Sequence, residues 1–253
     1  MKVKRYAVAV VAIGVFLALP TFAADPTSQK WTGFYVGING GYGWGETELR
    51  FMPGGSGFDG FNLFSPESTG GKFHNDIDGA IFGGQIGSNY QTPFNVVVGI
   101  EVSADWSDVE GTKKNPFSPI VPIVPASTQY NTKVRWFGTA TPKIGYALSS
   151  FLPFNLLPYI KGGLVFGDVE SNLKSTALTG FRFSEDNYHV GWTIGGGVEY
   201  GWRHWIFGVE YNYYDLGTQQ YGGRVAPDTT WPVDYKLHAT FSSVLMRVSY
   251  KFN

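Results

Sequence analysis

Residues 31–45, WTGFYVGINGGYGWG, separate by parity into two unlike sets. The even positions Phe34, Val36, Ile38, Gly40, Tyr42 and Trp44 are aromatic or aliphatic apart from one glycine. The odd positions Gly33, Tyr35, Gly37, Asn39, Gly41 and Gly43 are almost bare. Side chains on a strand alternate between faces. The stretch therefore predicts a strand with one apolar face and one small or polar face. It runs about twice the ~5–6 residues of an ordinary strand. That matches the roughly 9–11 residues a tilted strand needs to cross a bilayer.

The same alternation recurs along the chain and predicts strands at about 33–44, 75–90, 95–108, 131–147, 158–170, 187–202, 205–216 and 237–252. Val96, Val98, Ile100, Val102 and Trp106 form the apolar row of the third. Val190, Trp192, Ile194, Val198 and Tyr200 form that of the sixth, and Val244, Met246, Val248, Tyr250 and Phe252 that of the last. Pro142 lacks a ladder donor and predicts a bulge or break in the fourth. Residues 24–32 read as an unstructured lead. Gly-, Ser- and Pro-rich stretches at 45–72, 109–130, 171–186 and 217–236 read as long loops, and four prolines exclude a central strand from the second. Short turns separate the other pairs. Long and short connections in alternation predict an all-β, eight-stranded antiparallel up-and-down transmembrane β-barrel. Its four long loops are extracellular, and both termini are periplasmic.

The N-terminus adds a targeting segment. Lys2, Lys4 and Arg5 precede the apolar run Ala7–Leu19, and Thr21 and Ala23 are small residues placed for a cut after Ala23. This is the layout of a secretory signal peptide, 1–23, which leaves 24–253 as the barrel. No later run approaches the ~18–20 apolar residues of a transmembrane helix. Cysteine is absent, and 19 basic against 20 acidic residues give a net charge of −1, with no bias toward nucleic acid.

A lipocalin-like soluble barrel, with its apolar face inside, competes with the membrane reading. It would clothe its outside in Gly99, Gly163, Gly191, Gly195 and Gly197, with few charges to keep it soluble. In a membrane barrel those glycines face a crowded interior. Trp44, Trp106 and Trp136 then mark one bilayer interface, and Tyr90, Tyr146, Trp205 and Tyr250 the other. The charges on the face opposite each apolar row belong to the lumen. They are the acids Glu101, Asp105, Glu199 and Glu210 and the bases Lys133, Arg135, Lys143, Lys161 and Arg247, with Lys251 near the mouth. Charges in a low-dielectric interior must pair, so these residues predict an ion-pair network that closes a lumen only just wide enough for side chains.

The segments WTGFYVGINGGYGWG, VRWFGTATPKIGYA, VGWTIGGGVEYGW and RVSYKF, together with the signal peptide, resemble the small outer-membrane protein family of alphaproteobacteria. That family takes in the Brucella surface antigens and the Bartonella hemin-binding proteins, with OmpA-like barrels. The resemblance covers the mature chain. It departs at Lys143, where an Arg is expected, and at the end, where Asn253 follows Phe252.

The resemblance implies a structural and surface-interaction protein, not an enzyme, seated among outer-membrane lipid and lipopolysaccharide. Its last strand would be read by the barrel assembly machinery, and its loops would be open to a host ligand. It also implies hemin as a candidate ligand, for which His74, His189 and His238 at the extracellular strand ends are the candidate residues. No other cofactor and no metal is expected. A small diffusion pore is disfavoured by a packed lumen. A lipid-modifying enzyme would need a base in reach of a nucleophile. Only His189 points inward by parity, with Ser184, Glu185 and Asp186 near it and no known signature around them.

Overall fold

The computed structural model describes residues 31–51, 72–114, 128–148, 155–175, 182–224 and 232–252. The expected signal peptide and the apolar segment around Ile120–Val124 lie outside these. Eight strands follow one another in sequence order: β1 Gly33–Phe51, β2 Lys72–Gln91, β3 Val96–Lys114, β4 Thr128–Tyr146, β5 Leu156–Ser175, β6 Arg182–Trp202, β7 Trp205–Arg224 and β8 Pro232–Phe252. Each pairs antiparallel with its neighbours, and β1 closes on β8 from Phe34↔Phe252 to Phe51↔Tyr235. Every strand therefore has a partner on both sides, but the β6–β7 pairing ends at Trp192↔Asp215, so beyond it the distal ends of these two strands are paired only with β5 and β8.

The strands are 19–21 residues long, longer than the sequence pattern predicts. Residues 45–51, 109–114, 171–175 and 217–224, expected in loops, continue the ladder, as do 72, 128–130, 182–186 and 232–236 on the returning strands. The reason is a change of chemistry at constant parity. Along β1 the outward row runs Phe34, Val36, Ile38, Tyr42, Trp44 and then Glu46, Glu48, while the inward row ends in Thr47 and Leu49. Beyond the apolar band the barrel turns polar outside and apolar inside. A pattern sought with fixed polarity fades there, although along β1 the backbone pairing with β2 and β8 continues to Arg50.

The outward band carries Phe34, Ile38, Phe82, Trp106, Ile160, Leu164, Val190, Ile194 and Met246, all well exposed. It fits a lipid-facing surface on a closed barrel, and no helix of the described residues is long and apolar enough to span a membrane. Inward glycines make room. A Cβ on Gly87 would lie 2.5 Å from Tyr35 Cζ, so the bare backbone at 87 is what lets the Tyr35 ring cross the lumen.

Three register shifts break the ladder, the first between β3 and β4, where Trp106 pairs with Trp136 and Val109 with Val134. Val134 pairs with Val169 and Trp136 with Asp168, so Arg135 is an extra residue on β4. On β7 the register shifts between Asp215 and Thr218, where Gly217 adopts φ 71° and its N–H donates to Asp215 Oδ1 at 2.8 Å. Of the bulge or break expected at Pro142, the structure shows the break: pairing with β5 lapses between Ala140↔Leu164 and Lys143↔Lys161. Pro142 faces outward and stays in register with Ile100.

Candidate functional site

The interior is the part of the molecule with chemistry to explain, and it is built in three tiers. At the short-turn end Trp31, Val97, Ala147, Leu157 and Ile206 form an apolar floor. Trp31, expected in an unstructured lead, is almost wholly buried, and its backbone N–H donates to Gln91 Oε1 at 3.1 Å.

Above the floor lies a balanced ionic tier. Glu101 and Glu210 are bridged by two cations. Lys161 Nζ lies 3.0 Å from Glu101 Oε1 and 2.7 Å from Glu210 Oε1, and the Arg247 guanidinium donates to the second oxygen of each. Tyr35 donates to Glu101 at 2.7 Å and Tyr159 to Glu210. Arg247 Nη1 also donates to the Tyr159 hydroxyl at 3.0 Å, and Asn212 to Glu210 at 2.8 Å. Beside them Lys143 Nζ contacts both oxygens of Glu199, at 3.0 and 3.2 Å. It also sits 5.0 Å from the ring centre of Tyr35 and 4.8 Å from that of Tyr159. Three carboxylates thus meet three cations, all buried. Each charge is matched and most lone pairs are occupied, the condition under which buried ions are tolerated. Lys251 is buried on the inner face toward the short-turn end.

The third tier is apolar and fills the distal half of the lumen. Leu49, Ile77, Ile81, Val109, Tyr130, Val134, Val165, Val169, Leu216, Leu237 and Leu245 surround a triad of rings. Phe137 meets Tyr214 and Phe241 edge-on at 5.0 and 5.2 Å, and Tyr214 stacks on Phe241 at 4.5 Å. The sequence reading missed this tier. Its signal was present: Ile77, Ile81, Leu237 and Phe241 lie at odd positions, the parity of the polar row.

Three of the expected lumen residues sit otherwise. Past Arg135 the parity of β4 inverts. Val134 points in, while Lys133 and Arg135 point out, so neither belongs to the lumen. Lys133 pairs on the outside with Asp108 at 2.9 Å and Glu110 at 3.6 Å; Arg135 lies 4.0 Å from Asp168 and 3.8 Å from Glu170. Asp105 is buried inside, but it accepts a hydrogen bond from Ser103 Oγ at 2.7 Å in place of an ion pair.

The three histidines are not brought together. His189 is buried in the distal tier, with Nδ1 3.2 Å from the carbonyl of Leu216. His74 and His238 lie on the outer face, both in register with Glu48 on the strand between them. His74 Nδ1 is 3.7 Å from Glu46, and His238 Nε2 is 2.9 Å from Asp215. The barrel wall separates these two from His189, so the trio cannot serve as one hemin ligand set. The side chains of Ser184, Glu185 and Asp186 lie outside the described set.

Comparison with known proteins places this architecture. The chain matches the family model of the outer membrane protein beta-barrel domain over residues 9–252. It is 31% identical to the 31 kDa outer-membrane immunogenic protein of Brucella melitensis over 252 residues, 98% of this chain and 95% of that protein. The protein of the same description from Brucella suis matches to the same extent. Among solved structures, the outer membrane protein OprG from Pseudomonas aeruginosa shares the fold at a TM-score of 0.51 and 13% identity, covering 88% of this chain and 97% of that one.

Proposed function

The chain belongs to the outer-membrane β-barrel family, and from that premise we propose that it is a non-catalytic surface protein of the Gram-negative outer membrane, acting through the part that stands outside the bilayer. The observation that carries this reading is the filled lumen. Among the described residues, floor, ionic tier and ring cluster follow one another along the axis, which favours neither a diffusion path nor a solvent-reached cleft. His189, the inward histidine, sits among apolar side chains of the distal tier, which argues against a base for lipid or peptide hydrolysis. The exposed chemistry is the distal collar and the loops it carries. That the relatives are described as immunogenic supports display of this end to antibodies. The outward row of β8 ending in Tyr250 and Phe252 supports insertion through recognition of the last strand by the barrel assembly machinery.

Two measurements test the reading. Barrel refolded into planar bilayers is expected to show no steady conductance. Antibodies raised against the folded barrel are expected to bind intact cells and to lose most of that binding when 52–71 and 115–127 are replaced by Gly/Ser segments. Steady ion flow, or failure of the antibodies to bind intact cells, would overturn it.

A further inference from the structure

The ends of the barrel differ in the charge they present outward. At the distal end carboxylates such as Glu46, Asp76, Asp108, Glu110 and Asp215 face out. At the short-turn end no carboxylate faces outward among the described residues, and the exposed ionisable groups apart from tyrosines are Arg203 and His204. Both lie in the two-residue turn between β6 and β7, closed by the pair Trp202↔Trp205.

That turn is built in an uncommon way. Arg203 adopts φ 56°, a conformation suited to glycine and costly for a residue with a Cβ. An arginine is therefore held where glycine would make the turn more easily. Its guanidinium carbon lies 5.5 Å from the ring centre of Trp202, whose side chain is half exposed on the lipid-facing side. His204 stacks on Tyr250 at 5.6 Å, with planes 14° apart. Trp205 meets the same tyrosine edge-on at 5.3 Å, and Tyr250 meets Phe252 at 5.2 Å. The backbone is fixed as well: Lys251 N–H donates to the His204 carbonyl at 2.7 Å and Gly201 N–H to the Asn155 carbonyl at 2.8 Å. Cation and imidazole are thus drawn to the outer wall, at the level of an aromatic belt, on a rigid turn.

We propose that this corner binds the phosphate of an anionic phospholipid headgroup in the periplasmic leaflet. Aromatic side chains settle at the interface between tails and headgroups. A guanidinium there meets phosphate oxygens in the fork geometry it suits best. The occupant is a lipid and not a free anion because the site continues the apolar band: the tails would lie against Trp202, Trp205 and Phe207, all exposed on that wall.

The test uses Arg203→Gly, which removes the cation while suiting φ 56°. Mature wild type and R203G are folded in non-ionic detergent doped with phosphatidylcholine or with phosphatidylglycerol, and the heat-modifiability midpoint is read on gels. Wild type is expected to gain about 2–4 °C more from phosphatidylglycerol than from phosphatidylcholine, and R203G to lose that difference while folding at least as well in phosphatidylcholine. R203K is expected to keep part of it. Equal phosphatidylglycerol gains in wild type and R203G would overturn the site. So would a loss in R203G of the same size in both lipids, which marks a purely structural turn. An equal gain from inorganic phosphate alone would overturn the lipid as occupant.

Discussion

At the scale of single residues the interior is governed by matching. Glu199 touches one cation, Lys143, with both oxygens, and both residues are almost fully buried. Glu199→Ala leaves that ammonium among the rings of Tyr35 and Tyr159 with no carboxylate in contact. Breaking a buried pair from one side costs about 3–5 kcal/mol, and the urea midpoint in detergent is expected to fall accordingly. Glu199→Gln keeps the shape and a hydrogen-bond acceptor, so it is expected to lose less. An unchanged midpoint for Glu199→Ala would mean that water solvates the site. These pairs were legible from residue type and parity, since Glu101, Lys143, Lys161, Glu199, Glu210 and Arg247 all fall on inward positions of regular strands. Which cation meets which acid was not, because the partners sit on strands 37 to 146 positions apart and barrel closure alone sets their distance.

At the scale of elements the decisive feature is the extra residue on β4. Alternation fixes the face of a side chain only while each residue opposes one partner, and one added residue exchanges the faces beyond it. Strict parity puts Lys133 inside and Val134 outside; the bulge reverses them. Val134→Lys is therefore expected to abolish or severely impair folding into vesicles, because the ammonium would enter the ring-filled distal tier. Lys133→Leu, which removes an exposed pair with Asp108, is expected to cost about 0–1 kcal/mol. The opposite ranking would restore the unbulged strand. Nothing in VRWFG marks the insertion in advance, and proline, the residue that suggested a break, sits outward at Pro142 without disturbing register. Strand number, order and the lipid-facing rows were readable because a bilayer imposes one strong alternation. Strand ends were not, because water outside and apolar packing inside impose the reverse alternation.

At the scale of the whole molecule the three tiers act in series along one axis. If each closes the lumen on its own, a breach in one leaves two, and the following variants test that. Phe241→Ala opens a cavity among Phe137 and Tyr214 and is expected to cost about 3–5 kcal/mol, measured by denaturant titration. It is nonetheless expected to stay electrically silent in planar bilayers, as is Glu199→Ala. Conductance from either single variant would show that the lumen depends on one layer only. The tiers also explain how the chain can be soluble in two media at once: its lower wall meets lipid around an ionic centre, and its upper wall meets water around an apolar one.

Strand length has a last consequence, which is one of altitude. Twenty residues at a rise of ~3.3 Å each, inclined about 40° to the axis, climb roughly 50 Å, while the apolar girdle of such barrels is only about 25 Å tall. On the proposed orientation the charged collar therefore rises something like 20 Å beyond the apolar girdle on its outer side, a pedestal of paired strands. Whatever stands on it is presented that far from the bilayer. On the proposed outward display, in a coat of lipopolysaccharide, reach to an antibody is set by how far the oligosaccharides extend beyond that height, so trimming the coat is expected to expose the sides of the pedestal before it alters access to its summit.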